Sequence, residues 1–166
     1  MIKVLFKGDW LSVVERDGWE FVYDHRCKGR GVALLPYRRE DNGRIVFLIR
    51  KEPIPCWGDG RVPCSISGMR DEEGETPEQT AARELKEETG YQIQLDELVS
   101  LGMGQTSKAS STTVNLYTVD LTGHDAGPAE NAEKGIAVWV PNPVQQSNDS
   151  LLGLLLARMF TQGVLP

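Results

Sequence analysis

Glu84, Glu87 and Glu88 stand at i, i+3 and i+4 in a segment that also carries Arg83 and ends at Gly90. On a helix turning about 100° per residue the three carboxylates share one sector about 100° wide. Like charges at that spacing cost a helix a few tenths of a kcal/mol per pair, so the arrangement calls for a counter-charge. Arg83 lies one turn before Glu87, the less favourable order for helix support, and is better suited to orienting carboxylates than to stabilising the helix. Hard divalent cations are the natural counter-charge, because Mg²⁺ takes a few carboxylate oxygens together with water and substrate phosphate. A solvated acidic face is the other use of three glutamates, and for the triplet alone it is the commoner one.

The elements that must position these groups are legible nearby. Thr76 can cap a helix, Pro77 suits its first position, Gln79 completes a capping box and Gly90 stops it, which predicts a helix over Pro77–Thr89. Ala81, Ala82, Leu85 and Thr89 share its apolar face. A second helix is predicted over Ser150–Thr161. Short β-branched and aromatic runs predict strands over residues 2–6, 10–15, 20–23, 31–36, 45–49, 98–103, 112–120 and 136–140. Residues 122–135, rich in Gly, Ala, Pro, Asn and charge, read as a loop within one domain of residues 1–166. The outline is α+β, a mixed sheet with a few helices packed on it.

Bulk properties narrow the function classes. The chain of 166 residues is 40% apolar, enough for one core, and its net charge of −6 argues against nonspecific nucleic-acid binding through a basic surface. Nine of the 18 basic residues fall between Arg26 and Arg61, and ten of the 24 acidic ones between Asp71 and Glu97. That division fits either two solvated faces or an anion-binding surface beside a metal site. No apolar run reaches membrane-spanning length, and residues 1–20 interleave Lys3, Lys7, Asp9, Glu15 and Arg16 with apolar residues, unlike a secretory leader. Three cysteines, Cys27, Cys56 and Cys64, form no CxxC pair, and an odd count fits a reducing cytoplasm.

The full string Gly68-Met-Arg-Asp-Glu-Glu-Gly-Glu75-Thr-Pro-Glu-Gln-Thr-Ala-Ala-Arg83-Glu84-Leu85-Lys86-Glu87-Glu88-Thr89-Gly90-Tyr91 closely resembles the Nudix box. It departs at one place: six residues instead of five separate Gly68 from Glu75. The resemblance implies an α/β/α sandwich around a mixed β-sheet and water attack on a phosphorus of a diphosphate, with Mg²⁺ as cofactor and Mn²⁺ able to substitute. By position it implies that Glu84 and Glu88 are metal ligands, with Glu87 a further ligand or a support for them. The Ser67 carbonyl would ligate from the loop, and Arg83 and Glu75 would be an orienting pair beneath the carboxylates.

More weakly, the order of parts is similar to the ADP-ribose pyrophosphatase branch. An N-terminal β-hairpin extension (residues 1–25) and two strands precede the box of residues 68–91, although the loop 104–113 lacks a proline common in that branch. The resemblance implies a nucleotide-type small-molecule substrate such as ADP-ribose, no nucleic-acid or membrane partner, and a homodimer as a further expectation. Gly68 and the pair Arg50-Lys51 would contact substrate, ordinary solvated cations being the alternative for the pair. A loop glutamate before the strand 136–140, Glu133 by preference or Glu130, would be the general base. Trp10, Trp19 and Trp57 could stack on a base, though strand aromatics more often belong to a core. A house-cleaning nucleoside triphosphatase or a non-catalytic nucleotide-sensing domain of the same superfamily are the rival readings.

Overall fold

The computed structural model describes residues 2–70, 74–132, 134–145 and 147–166. Glu133 and the Cys27 side chain lie outside the described residues. Eleven strands and two helices are present among those described. A mixed sheet is ordered β8 (Ile66–Met69), β4 (Arg30–Leu34), β10 (Thr113–Thr118) and β9 (Val99–Gln105), with β4 parallel to β10 and the other pairs antiparallel. A second, antiparallel sheet is ordered β11 (Ile136–Val140), β6 (Ile45–Pro53) and β5 (Tyr37–Arg39), and β7 (Arg61–Cys64) joins the far end of β6. Backbone bonds from Leu35 N–H to Tyr117 O and from Tyr37 N–H to Val119 O tie the two sheets together.

Alternation along the central strands decides the layers. Val32, Leu34 and Leu48 pack with Ala81 and Leu85 of α1 (Pro77–Thr89). Their neighbours Ala33, Leu35, Phe47 and Ile49 pack with Leu152, Leu155 and Met159 of α2 (Ser150–Thr161). Strands covered on both faces need apolar residues at every position, which is why residues 31–36 and 45–49 are near-continuous apolar runs. The result is the expected α/β/α sandwich.

The N-terminal hairpin is present as β2 (Leu11–Arg16) and β3 (Trp19–Asp24), and the strand expected over residues 2–6, β1 (Ile2–Lys7), pairs with β2 to make it a three-stranded antiparallel sheet. Two sequence expectations change. β5, β7 and β8 had no strand signal: β5 is only three residues long, and Pro63 in β7 and Gly68 in β8 are poor strand formers; Pro63 is tolerated because β7 pairs only with β6. Trp10, Trp19 and Trp57 are not core residues: they are 66%, 74% and 47% exposed. No described helix is long and apolar enough to cross a membrane.

Candidate active site

The helix that carries the glutamates is fixed at both ends. Thr76 Oγ1 accepts from the Gln79 N–H, and the Gln79 side chain accepts from the Thr76 N–H at 2.8 Å. Gly90 closes the helix at φ 80° and donates to Lys86 O. A Cβ at Gly90 would overlap the carbonyl oxygen of Gly127, so its glycine serves both the left-handed turn and the loop packed over it.

Glu84 and Glu88 are both 8% exposed, which rules out the solvated acidic face. Arg83 holds Glu84 together with Glu75 and Glu87. Its Nε donates to Glu75 at 3.0 Å, its Nη1 to Glu84 at 2.9 Å and to Glu87 at 3.3 Å, and its Nη2 to the Met69 carbonyl at 3.0 Å. One guanidinium thus draws together three glutamates and the end of β8. Gly68 lies directly under the Glu84 carboxyl, which a Cβ would overlap. Residues 71–73, in the lengthened loop, are outside the described residues.

On the other side of the cluster, Arg50 is 1% exposed. Its Nη1 lies 2.6 Å from Glu88 Oε1 and its Nε 3.1 Å from Glu52 Oε2, as charge contacts whose angles fall outside hydrogen-bond geometry. Its Nη2 donates to Asn131 O. The expectation of a substrate-facing cation at this position does not fit its burial; the side chain is committed to Glu88 and Glu52. Lys51, next along the strand, points to the opposite face and is half-buried. Glu52 was missed in the sequence, although strand alternation puts it on the same face as Arg50.

Burial pushes the Glu88 carboxyl up to about 8. The Arg50 charge and the Ser67 N–H oppose the rise, while Glu52 and Glu84 add to it. Glu88 Oε2 is buried with no hydrogen-bond partner among the described residues. Such an oxygen costs about 1–3 kcal/mol or more to leave unpaired, and a hard cation would satisfy it. The donor set, carboxylates with a nearby backbone carbonyl, suits Mg²⁺ or Mn²⁺. Among the described residues no three such ligands already converge on one point, since Glu84 is turned onto Arg83 and Glu88 onto Arg50. The residues fit a divalent ion that would compete with these two arginines for the carboxylates.

The loop of residues 123–135 crosses the same cluster. Asn131 N–H donates to Glu87 O and Asn131 Nδ2 to Glu87 Oε2. A Cβ at Gly135 would overlap the Arg50 guanidinium. Glu130 pairs instead with Lys86 at 3.0 Å, and Lys86 points about 160° away from Glu84 and Glu88 around the helix.

Beyond Ser67 two clefts adjoin, of about 480 and 460 Å³, sharing Ser67, Thr106 and Leu151. Gly68 and Met69 line the first, and Glu52, Trp57 and Asp149 the second. Asp149 is buried, accepting from the Ser65 N–H and hydroxyl and capping α2 through Leu151 N–H.

The NUDIX domain model matches residues 28–143. An ADP-sugar pyrophosphatase of Mus musculus is 43% identical over 113 residues, covering 66% of this chain and 50% of that protein. The chain spans half or less of the length of this and two further curated animal relatives. Among solved structures, an ADP compounds hydrolase matches with a TM-score of 0.66 at 16% identity, over 99% of this chain and 95% of that one. The NUDIX domain of Shewanella oneidensis NrtR, complexed with ADP ribose, matches with a TM-score of 0.64 at 17% identity, over 80% of this chain and 86% of that one. At such identities the structures speak for the fold, and the domain match extends over more than half of the sequence: the chain belongs to the NUDIX family.

Proposed function

We propose that this chain hydrolyses the diphosphate linkage of a nucleoside diphosphate derivative such as ADP-ribose, dependent on Mg²⁺ or Mn²⁺, giving a nucleoside monophosphate and a phosphorylated leaving group. The observation that carries the reading is the buried pair Glu84 and Glu88, with Glu88 Oε2 unpartnered among the described residues and Glu84 resting on Gly68, which lines a cleft. The ADP-sugar and ADP-ribose named for the relatives support the substrate class.

Glu84 and Glu88 would hold the ion, with Glu87 and the Ser67 carbonyl completing the set. The ion supplies charge neutralisation at the diphosphate and lowers the pKa of the attacking water. Arg83, with Glu75, fixes the Glu84 and Glu87 carboxylates, and Arg50 fixes Glu88. The water oxygen bonds to one phosphorus, the bond from that phosphorus to the bridging oxygen breaks, and the leaving phosphate keeps the electron pair. The proton passes to a base from the loop 123–135, and Glu133 is the candidate. Its neighbours Asn131 and Gly135 lie against Arg50, whereas Glu130 is held by Lys86. Trp57, exposed at the cleft wall, is placed to stack on a base.

Exposed apolar side chains on the N-terminal strands and the turn between them, Ile2, Val4, Phe6, Trp10 and Trp19, support a homodimer, which light scattering would measure. Free thiols at Cys56 and Cys64 suit a reducing, cytoplasmic setting. The deciding experiment is a panel of ADP-ribose, other nucleoside diphosphate sugars and nucleoside triphosphates with Mg²⁺, Mn²⁺ or excess EDTA. Metal-dependent release of nucleoside monophosphate from ADP-ribose is expected. Activity that survives EDTA, or that is confined to triphosphates, overturns the reading.

A further inference from the structure

On the α1 side of the mixed sheet, past the start of the helix, lies a cavity of about 390 Å³ walled by Lys28, Arg30, Arg70, Thr80, Met103 and Asn115. In a chain of net charge −6, three cations line this cavity and no carboxylate does among the described residues. The Arg70 N–H donates to Arg30 O, which sets the two strand ends side by side. Arg30 is also in register with Thr113 of β10, another wall residue. The Arg70 Nε is buried and has no hydrogen-bond partner among the described residues. A buried guanidinium N–H without an acceptor is costly, and the group that satisfies it best is an anion with several oxygens. The cavity is also walled by Pro77, the first residue of α1, and the positive end of the helix dipole favours the same charge. Val32 and Met103 supply an apolar wall against which the carrier of that anion can rest.

The cavity adjoins the carboxylate cluster without sharing its groups. Arg70 follows by two residues the Gly68 that underlies Glu84, Thr80 precedes Glu84 by one turn, and Arg83 bonds the intervening Met69 carbonyl.

We propose that this cavity is a subsite for a terminal phosphate of the substrate, a phosphate outside the linkage that is cleaved. Its role in substrate choice rests on the diphosphate hydrolysis proposed above; its anion binding does not. The phosphate could be a monoester on a sugar or the end of a polyphosphate chain. Both present the same dianion, and the substrate arms below separate them.

The test has two readouts. In the first, the chain without metal is titrated with inorganic phosphate by calorimetry, as wild type, Arg70→Met and Lys28→Met; Lys28 is exposed, so its variant guards against misfolding. Saturable binding in wild type, weakened at least tenfold in both variants, is expected. No binding in wild type, or equal binding in all three proteins, overturns the subsite. In the second, kcat/KM is compared for ADP-ribose against ADP-ribose 2′-phosphate, and for ADP against ATP. The proposal expects a preference for the phosphorylated member of at least one pair that falls at least tenfold in Arg70→Met, chiefly through KM. Ratios unchanged by the substitution overturn the role in substrate choice. Arg70-dependent phosphate binding in a chain that cleaves no diphosphate would sink the proposed function and leave the anion site standing.

Discussion

Arg50 Nη1 lies 2.6 Å from Glu88 Oε1, and both side chains are buried. The same guanidinium meets Glu52 and the Asn131 carbonyl, so one arginine joins the glutamate helix, the strand β6 and the loop 123–135. Removing one partner of a buried pair leaves a charge without compensation, at a cost of about 3–5 kcal/mol. Arg50→Met should therefore lower stability by roughly that amount near pH 9, where Glu88 is ionised, and by less near pH 6, where Glu88 can hold a proton. Urea unfolding at the two pH values measures the difference; a loss below about 1 kcal/mol at both would show that Arg50 is not the anchor.

The raised Glu88 carboxyl makes stability and metal binding depend on pH in opposite senses. In the unfolded chain it titrates near its ordinary value of 4.5, in the folded chain near 8. Between these values the folded state binds more protons, so stability without metal from this group is fully present below about 4.5 and falls as pH rises towards 8. A divalent ion must displace the proton, so affinity for Mn²⁺ should rise by up to about tenfold per pH unit between pH 6 and 8. Calorimetric titration at several pH values reads this, and in Glu88→Gln the slope should vanish along with most of the turnover. A slope unchanged in that variant would place the proton elsewhere.

Gly68→Ala tests the close approach beneath Glu84. The new Cβ meets the far end of a flexible side chain, so the fold should survive with a loss of about 1 kcal/mol while Glu84 swings off Arg83. A misplacement near 1 Å can cost on the order of 10²-fold in turnover. Thermal melting alongside steady-state kinetics measures both. Wild-type turnover in this variant would mean that Glu84 is not held where the chemistry needs it.

The helix was legible residue by residue because its signals are local: Thr76, Pro77, Gln79 and Gly90 state its ends, and the 3.6-residue period states its buried face. The strand pairs were less so. β8 contains Gly68 for the sake of a carboxylate on another element, and a requirement that comes from across the fold leaves no mark in strand propensity. Arg50 illustrates the same limit: its type suggested a phosphate contact, while its location inside β6, facing Glu88, makes it a scaffold. Trp10 and Trp19 failed the core expectation because composition cannot tell a small outlying sheet from one that is covered, and Trp57 because it lies in the turn between β6 and β7.

The two loop glutamates offer the sharpest separation of roles. Glu130 forms an exposed ion pair with Lys86 on the helix face turned away from Glu84 and Glu88. Pairs of that kind contribute about 0–1 kcal/mol, so Glu130→Gln should change stability by less than that and turnover by less than about twofold. Glu133 is flanked by Asn131, which bonds Arg50 and Glu87, and by Gly135, packed on the Arg50 guanidinium. The chain on both sides of it is thereby held at the carboxylate cluster. A positioned base contributes about 10²–10⁴-fold, so Glu133→Gln should lower kcat by that factor with Mn²⁺ affinity nearly unchanged. A metal ligand would lose both. Measuring kcat at saturating substrate together with Mn²⁺ titration for each variant decides the assignment. If Glu133→Gln keeps more than a tenth of wild-type kcat, the base lies elsewhere, and Glu87, half-buried and bonded to Arg83 and Asn131, is next to be tested.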